Sequence, residues 1–151
     1  METRVETLPN YRIAYVRQYG PYGPANLQAM QKLKKWAMEK GLLTESAILF
    51  GIPQDNPQTT LPEKCRYDAC IAIRNDEQID DLVCESELQG GVYVIFTIKH
   101  TAEDVQRAWT EIFPAIHNMG FQIDGKPILE KYSGDMLKND FCEICVPIKP
   151  V

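Results

Sequence analysis

Glu143 stands in the last apolar stretch of the chain, Phe141-Cys142-Glu143-Ile144-Cys145-Val146-Pro147-Ile148, where a carboxylate beside Phe141 would be partly desolvated and would seek a cation. The chain has seven tyrosines, and aromatic faces attract ammonium and other cationic groups. Glu143 with Tyr93 and Tyr132 would suit an apolar cation or a flat heteroaromatic compound; the plainer alternative is a surface strand glutamate with tyrosines that only pack. Trp109 lies inside a helical stripe, so core is its first reading and pocket wall its second. Cys142 and Cys145 have the spacing of a zinc or redox motif, but on a strand an odd separation puts the two sulfurs on opposite faces, and no metal is expected there. His100 and His117 stand in no nucleophile-base-acid order, and no glycine-rich phosphate loop is present, so no cofactor is expected either.

Several elements must position these residues. Tyr11 to Tyr19 is rich in aromatic and β-branched residues and reads as a strand, ended by Gly20-Pro21-Tyr22-Gly23-Pro24. Leu27, Met30, Leu33, Ala37 and Met38 recur at helical spacing until Gly41 supplies a stop. Strands are predicted at Ala47–Ile52 and Arg66–Ile73, followed by an acidic connection through Asp76-Glu77 and Asp80-Asp81. Val92–Ile98 has the strongest strand propensity in the chain. Thr101 with Asp104 resembles a capping box, so a helix should begin at about Ala102 and carry Val105, Ala108, Trp109, Ile112, Phe113 and Ile116 on one face before Gly120. Strands at Pro127–Tyr132 and Phe141–Lys149 complete a second β-α-β-β unit. Two copies of one element order, about 10–74 and 90–149, point to an internal duplication. Asp68-Ala69-Cys70-Ile71-Ala72-Ile73 aligns with Glu143-Ile144-Cys145-Val146-Pro147-Ile148.

Strand alternation sets Ile144, Val146 and Ile148 on one face to cover a helix, with Ala69, Ile71 and Ile73 doing the same in the first unit. The opposite face carries Asp68, Cys70 and Ala72, and Glu143, Cys145 and Pro147. Small side chains beside an acid leave room, so a groove is expected on that face near the meeting of the units, with Glu143, Cys145 and Phe141 at it.

Composition bounds the rest. A chain of 151 residues, 44% hydrophobic and 25% charged, has enough sequence for one core and is neither disordered nor fibrous in type. A formal charge of -5 with no long basic cluster lacks the electrostatic footprint of a duplex-binding protein, so no direct nucleic-acid contact is expected. No apolar run reaches membrane-spanning length and no signal-peptide core follows Met1, so the expectation is a cytoplasmic protein without membrane contact. An odd count of five cysteines in that compartment reads as packing, the default for Cys65, Cys70 and Cys84.

At these residues the chain resembles the GyrI-like small-molecule-binding family, which includes DNA gyrase inhibitory proteins and the effector-binding domains of multidrug-responsive transcription regulators. The matching features are the first strand running into Gly20-Pro21-Tyr22, the Asp55-Asn56-Pro57 loop followed by Pro62-Glu63-Lys64-Cys65-Arg66-Tyr67-Asp68, Gly90-Gly91-x-Tyr93, Glu130-x-Tyr132, and Glu143 in the final strand. The resemblance implies an α+β fold over residues 1–151: a duplicated β-α-β-β module with pseudo-twofold symmetry, an antiparallel sheet carrying two helices, and a ligand cleft between the modules. It implies that Glu143 engages cationic or polar aromatic ligands in the cleft, with Tyr132 and Tyr93 lining or bordering it; Trp109 matches a recurrent helix tryptophan. Family regulators add a helix-turn-helix segment for which these residues leave no room, so a free-standing binding module is expected.

Three functions share this frame. The first is binding of hydrophobic, often cationic or aromatic small molecules at Glu143, Tyr132, Tyr93, Trp109, Phe141 and Cys145. The second is hydrolysis of strained cyclopropane-containing compounds, as in some relatives, with Glu143 as general base. The third is inhibition of DNA gyrase through protein contact, with the acids around Asp76-Glu77 and Asp80-Asp81 facing a basic partner.

Overall fold

The computed structural model describes residues 2–134 and 140–150, the side chain of Pro150 excepted. The described residues form β1 (Glu2–Leu8), β2 (Tyr11–Tyr19), α1 (Pro24–Glu39), β3 (Ile48–Pro53), β4 (Arg66–Ile73), β5 (Cys84–Leu88), β6 (Gly91–Lys99), α2 (Ala102–Asn118), β7 (Phe121–Ile123), β8 (Leu129–Ser133) and β9 (Phe141–Pro150), with a 3-10 turn at Pro62–Lys64. The two helices and the strands β2, β3, β4, β6, β8 and β9 are the elements read from the sequence. β1, β5 and β7 are additions, because Glu2–Leu8 and Cys84–Leu88 are polar on both faces and carry no apolar alternation. The Met136-Leu137 stretch of the last loop lies outside the described residues.

All pairings are antiparallel, in the order β1-β6-β9-β8-β3-β4-β2-β5, with β7 on β9. The order is a palindrome of modules: β6-β9-β8 meets β3-β4-β2 at the β8–β3 seam, where Leu49 faces Tyr132 and Gly51 faces Glu130. The ends of this path are tied together. β1 runs into β2 through Pro9-Asn10 and β5 into β6 through Gln89-Gly90, and in both pairs the partner numbers add to 99, so they are halves of one bent ribbon. The sheet therefore curves until its helix-free face packs on itself.

Each sheet face has its own core. Between sheet and helices lie Leu33, Trp36 and Ala37 of α1, Ala108, Ile112 and Ile116 of α2, and the strand residues Ala69, Ile71, Phe96, Ile144, Val146 and Ile148. The inner face buries Leu8, Ile13, Phe50, Ile52, Cys70, Tyr93, Ile95, Leu129 and Cys145. The face assignment from strand alternation in β4 and β9 holds on both sides.

The helix ends follow local chemistry. Thr101 Oγ1 accepts from the Asp104 backbone N–H at 3.1 Å, so the N-cap bond forms, while the Asp104 carboxylate accepts from the Thr101 hydroxyl at 2.6 Å rather than from its backbone N–H. Pro24 opens α1, and Gly41 (φ +71°) ends it, with Leu42 N–H returning to the Ala37 carbonyl at 2.8 Å. The buried stripe of α1 differs from the sequence expectation: Leu27 and Met38 are exposed, and Trp36 takes the buried place with its indole N–H donating to Asp80 at 3.1 Å. Asp80 also pairs with Lys40 at 3.1 Å, so this acid of the connection is engaged within the chain while still half-exposed.

Candidate functional site

The largest cavity described, about 960 Å³, opens between α1 and α2 above the β8–β3 seam. Met30 and Lys34 come from α1, Leu49 and Tyr132 from the paired strands below, Val105 and Gln106 from α2, and Tyr22 and Tyr67 close one end. It exists because the modules meet edge to edge at β3 and β8 while each helix packs on its own module; α1 contacts β2 and β4, and α2 contacts β6 and β7. The gap left between helices is lined by aromatic and aliphatic side chains with a few convergent polar groups, the usual make-up of a small-molecule site.

Glu130 lies under this cavity. Residues 130 and 132 share a strand face, and the Tyr132 hydroxyl donates to Glu130 Oε2 at 2.8 Å. Burial pushes the Glu130 carboxyl above its usual range, and the Tyr132 hydrogen bond opposes that shift. Burial also pushes the phenols of Tyr67 and Tyr132 well above the ordinary value, and the Glu130 charge adds to both shifts. Gly51, paired with Glu130, makes the arrangement possible: a Cβ there would run into the Tyr67 hydroxyl. Tyr22, at the rim, donates its hydroxyl to backbone carbonyls of Asp55 or Arg66 and accepts from Asp55 N–H, which ties the Asp55-Asn56-Pro57 loop to the cavity edge.

The residues singled out in the sequence are divided between the two faces. Tyr132 lines the interhelical cavity. Glu143, Cys145 and Tyr93 point to the inner face, on the far side of the sheet. Glu143 is 1% exposed and pairs with Arg4 Nη2 at 2.6 Å and Lys131 Nζ at 3.8 Å. It lines neither the interhelical cavity nor the smaller one, of about 170 Å³, on the inner face. Tyr93 lines that inner cavity, its hydroxyl donating to the Gln89 carbonyl at 3.0 Å and its ring under Lys126 Nζ at 5.5 Å. Trp109 is half-buried against the helix-side core, and Phe141 borders a shallow surface hollow with Lys99 and Arg107. Cys142 faces the helices and Cys145 the inner core, and burial pushes both thiols up to about 12. Among the described residues no group of three His, Cys, Asp or Glu side chains is placed to hold a metal.

The inner face uses its two acids structurally. Asp68, 4% exposed, accepts from Arg17 Nε at 2.7 Å, Arg17 Nη2 at 2.8 Å and Gln54 at 3.0 Å, and this pairing holds the Arg17 guanidinium well above its ordinary value. Glu143 is its counterpart in the second module, held by cations from β1 and β8. On this face the curved sheet closes over the small residues Cys70 and Cys145, and the opening that is left is the cavity of about 170 Å³ lined by Tyr93 and Asp68.

Residues 1–149 match the model of the GyrI-like small molecule binding domain. The chain belongs to the GyrI-like family. It is 40% identical over 150 residues to the SPbeta prophage-derived protein YosT of Bacillus subtilis (strain 168), covering 99% of this chain and 100% of that protein. It is 24% identical over 148 residues to a DNA gyrase inhibitor of Cronobacter turicensis, with 95% and 93% of the two chains covered. Among solved structures it resembles SAV2435 bound to tetraphenylphosphonium, with a TM-score of 0.60 and 17% identity over 99% of this chain and 94% of that one.

On the GyrI-like frame, the residues that sequence reasoning did not single out for the cavity are Glu130, Tyr67, Tyr22 and Lys34. One signal was available for the first: Glu130-x-Tyr132 in a strand puts an acid and a phenol on one face. For the others the local pattern carries none, since their convergence depends on how two helices straddle a seam.

Proposed function

We propose that this GyrI-like chain binds small molecules with a flat or polycyclic apolar body in the cavity between α1 and α2. Met30, Leu49 and Val105 supply the apolar contact, Tyr22, Tyr67 and Tyr132 the ring faces, and the Glu130–Tyr132 hydrogen bond the fixed polar anchor. The observation that carries the reading is the position of a large, mostly apolar cavity at the seam of the two modules, with Tyr132 on its lining hydrogen-bonded to the half-buried Glu130 carboxylate. The tetraphenylphosphonium complex of SAV2435 supports it as an analogy of fold. The expected cleft role of Glu143 passes to Glu130, because Glu143 is engaged by Arg4 and Lys131 on the other face. The same reading keeps the protein in the cytoplasm with its cysteines reduced; no helix of the described residues is long and apolar enough to cross a membrane.

The test is a thermal-shift screen of wild type and Val105→Trp against neutral polycyclic and charged aromatic compounds. A ligand at about 100 times its dissociation constant adds about 2.7 kcal/mol of stability, readily seen in a melting curve. Stabilisation of wild type but not of Val105→Trp, which fills the cavity, supports the site. Equal stabilisation of both places the ligand elsewhere.

A further inference from the structure

Among the described strands β1 pairs with β6 and β5 with β2, and these two strands end the sheet order, so each turns one edge outward. An outward edge is a template for another strand unless its side chains forbid it. Residues directly opposite across an antiparallel pair point to the same sheet face, so the register decides whether their charges match.

β5 forbids a copy of itself. Two Cys84–Leu88 strands paired antiparallel over their full length are centred on Ser86 and set Glu85 against Glu87 on both sides of it. β1 on the β5 of a second copy is no better. Val5 lies on the helix side with Val94, and Glu85 lies on that side with Ala14, so the pairing puts Val5 against a carboxylate.

β1 matches itself. Paired antiparallel with a second copy over all seven residues, Glu2–Leu8 is centred on Val5, which faces Val5 of the copy. The same register sets Arg4 opposite Glu6 and Glu6 opposite Arg4, so both flanking pairs join opposite charges. A slip of two residues, which keeps the faces, brings Arg4 against Arg4 or Glu6 against Glu6. Val5 is 49% exposed on the helix side, in line with Val94 of its own β6. On the inner face Arg4 Nε donates to Glu6 Oε2 at 2.8 Å and Arg4 Nη2 meets Glu143 at 2.6 Å, which leaves Arg4 Nη1 and Glu6 Oε1 for the facing strand. Glu2 falls opposite Leu8 of the copy and gains no counter-charge, and the formal charge of -5 on each chain also opposes association.

We propose that β1 is a self-association edge: two copies of this chain pair their β1 strands antiparallel about a twofold axis at Val5, with an Arg4–Glu6 pair on either side, and join their sheets into one. A single strand pair buries little area, so the dimer forms at high protein concentration and dissociates on dilution.

Sedimentation velocity of the untagged full chain across a dilution series tests this. The mass should rise with concentration from 17.2 kDa toward twice that value. Val5→Asp and Val5→Lys each place like charges across the axis, so each should stay monomeric at concentrations where wild type is dimeric. An equimolar mixture of the two should recover the dimer, because Asp then faces Lys. Glu6→Lys, which sets Lys against Arg4 without touching the helix side, should weaken the dimer about tenfold. Circular dichroism melts check that each variant is folded, and Glu6→Lys alone decides if the Val5 variants are not. A wild type that stays monomeric throughout, a dimer indifferent to Glu6→Lys or Val5→Asp, or a folded Asp and Lys mixture that stays monomeric overturns the proposal.

Discussion

The Tyr132 hydroxyl donates a 2.8 Å hydrogen bond to the carboxylate of Glu130, two residues earlier on the same strand and the same sheet face. The bond turns two groups that are costly to bury into one satisfied unit beneath the interhelical cavity. Loss of the phenol proton leaves the carboxylate to burial alone. Tyr132→Phe should therefore raise the Glu130 carboxyl further, readable as a shift of its carboxyl carbon resonance on pH titration, and should weaken ligand binding. A Glu130 titration unchanged in Tyr132→Phe would show that the bond does not hold the carboxylate.

Glu130 also makes stability depend on pH in a direction that can be checked. Its folded carboxyl lies above the unfolded value, so between the two the native state binds more protons than the unfolded state, and stability falls as pH rises through that window. Urea unfolding of wild type and Glu130→Gln across the carboxylate range should give a difference that grows as pH rises, with wild type losing ground. A flat difference would place the folded carboxyl at its ordinary value.

The two candidate acids separate cleanly in a binding assay. Glu130→Gln should weaken an aromatic ligand severalfold, whereas Glu143→Gln should leave its affinity unchanged, because Glu143 is on the far side of the sheet with Arg4 and Lys131. Arg4→Met, which leaves the buried Glu143 with Lys131 alone, should instead cost about 3 kcal/mol or somewhat less in stability without touching binding. A loss of binding in Glu143→Gln with an unchanged melting temperature would return the site to the inner face.

Gly51 tests the seam. A methyl group there meets the hydroxyl of Tyr67, whose ring is 5% exposed and has little room to move. Gly51→Ala should cost about 1–3 kcal/mol, the usual range for overpacking, and should weaken ligand binding by displacing Tyr67 into the cavity. Denaturant melts of Gly51→Ala alone and with Tyr67→Phe decide it, since removing the hydroxyl should restore most of the loss.

The cysteines give a count. Cys84 is exposed on β5, against the sequence default of burial, because β5 is an edge strand with nothing over it. Cys65, Cys70, Cys142 and Cys145 are buried. An aromatic disulfide reagent at pH 8 should modify one thiol in the native protein and all five after unfolding. Rapid modification of more than one would mean that a core opens.

What the sequence by itself determined is the local layer of this protein. Thr101 and Asp104 mark the start of α2, Gly41 ends α1, and strand alternation sorts Ile144, Val146 and Ile148 from Glu143, Cys145 and Pro147. These signals are legible because capping bonds and the two-residue strand period act between near neighbours in the chain. Alternation says which residues share a face and is silent on what that face will meet. Only the tertiary structure decided this: pairing of β3 with β8 opened a cavity above Tyr132 and Tyr67, while pairing of β1 with β6 and of β2 with β5 curled the opposite face around Glu143 and Cys145 and left only a smaller cavity there. Both pairings join segments far apart in the chain, and β1 and β5 carry no apolar pattern to announce them, so which acid lies on the face of the interhelical cavity was set by long-range register rather than by either residue's neighbours.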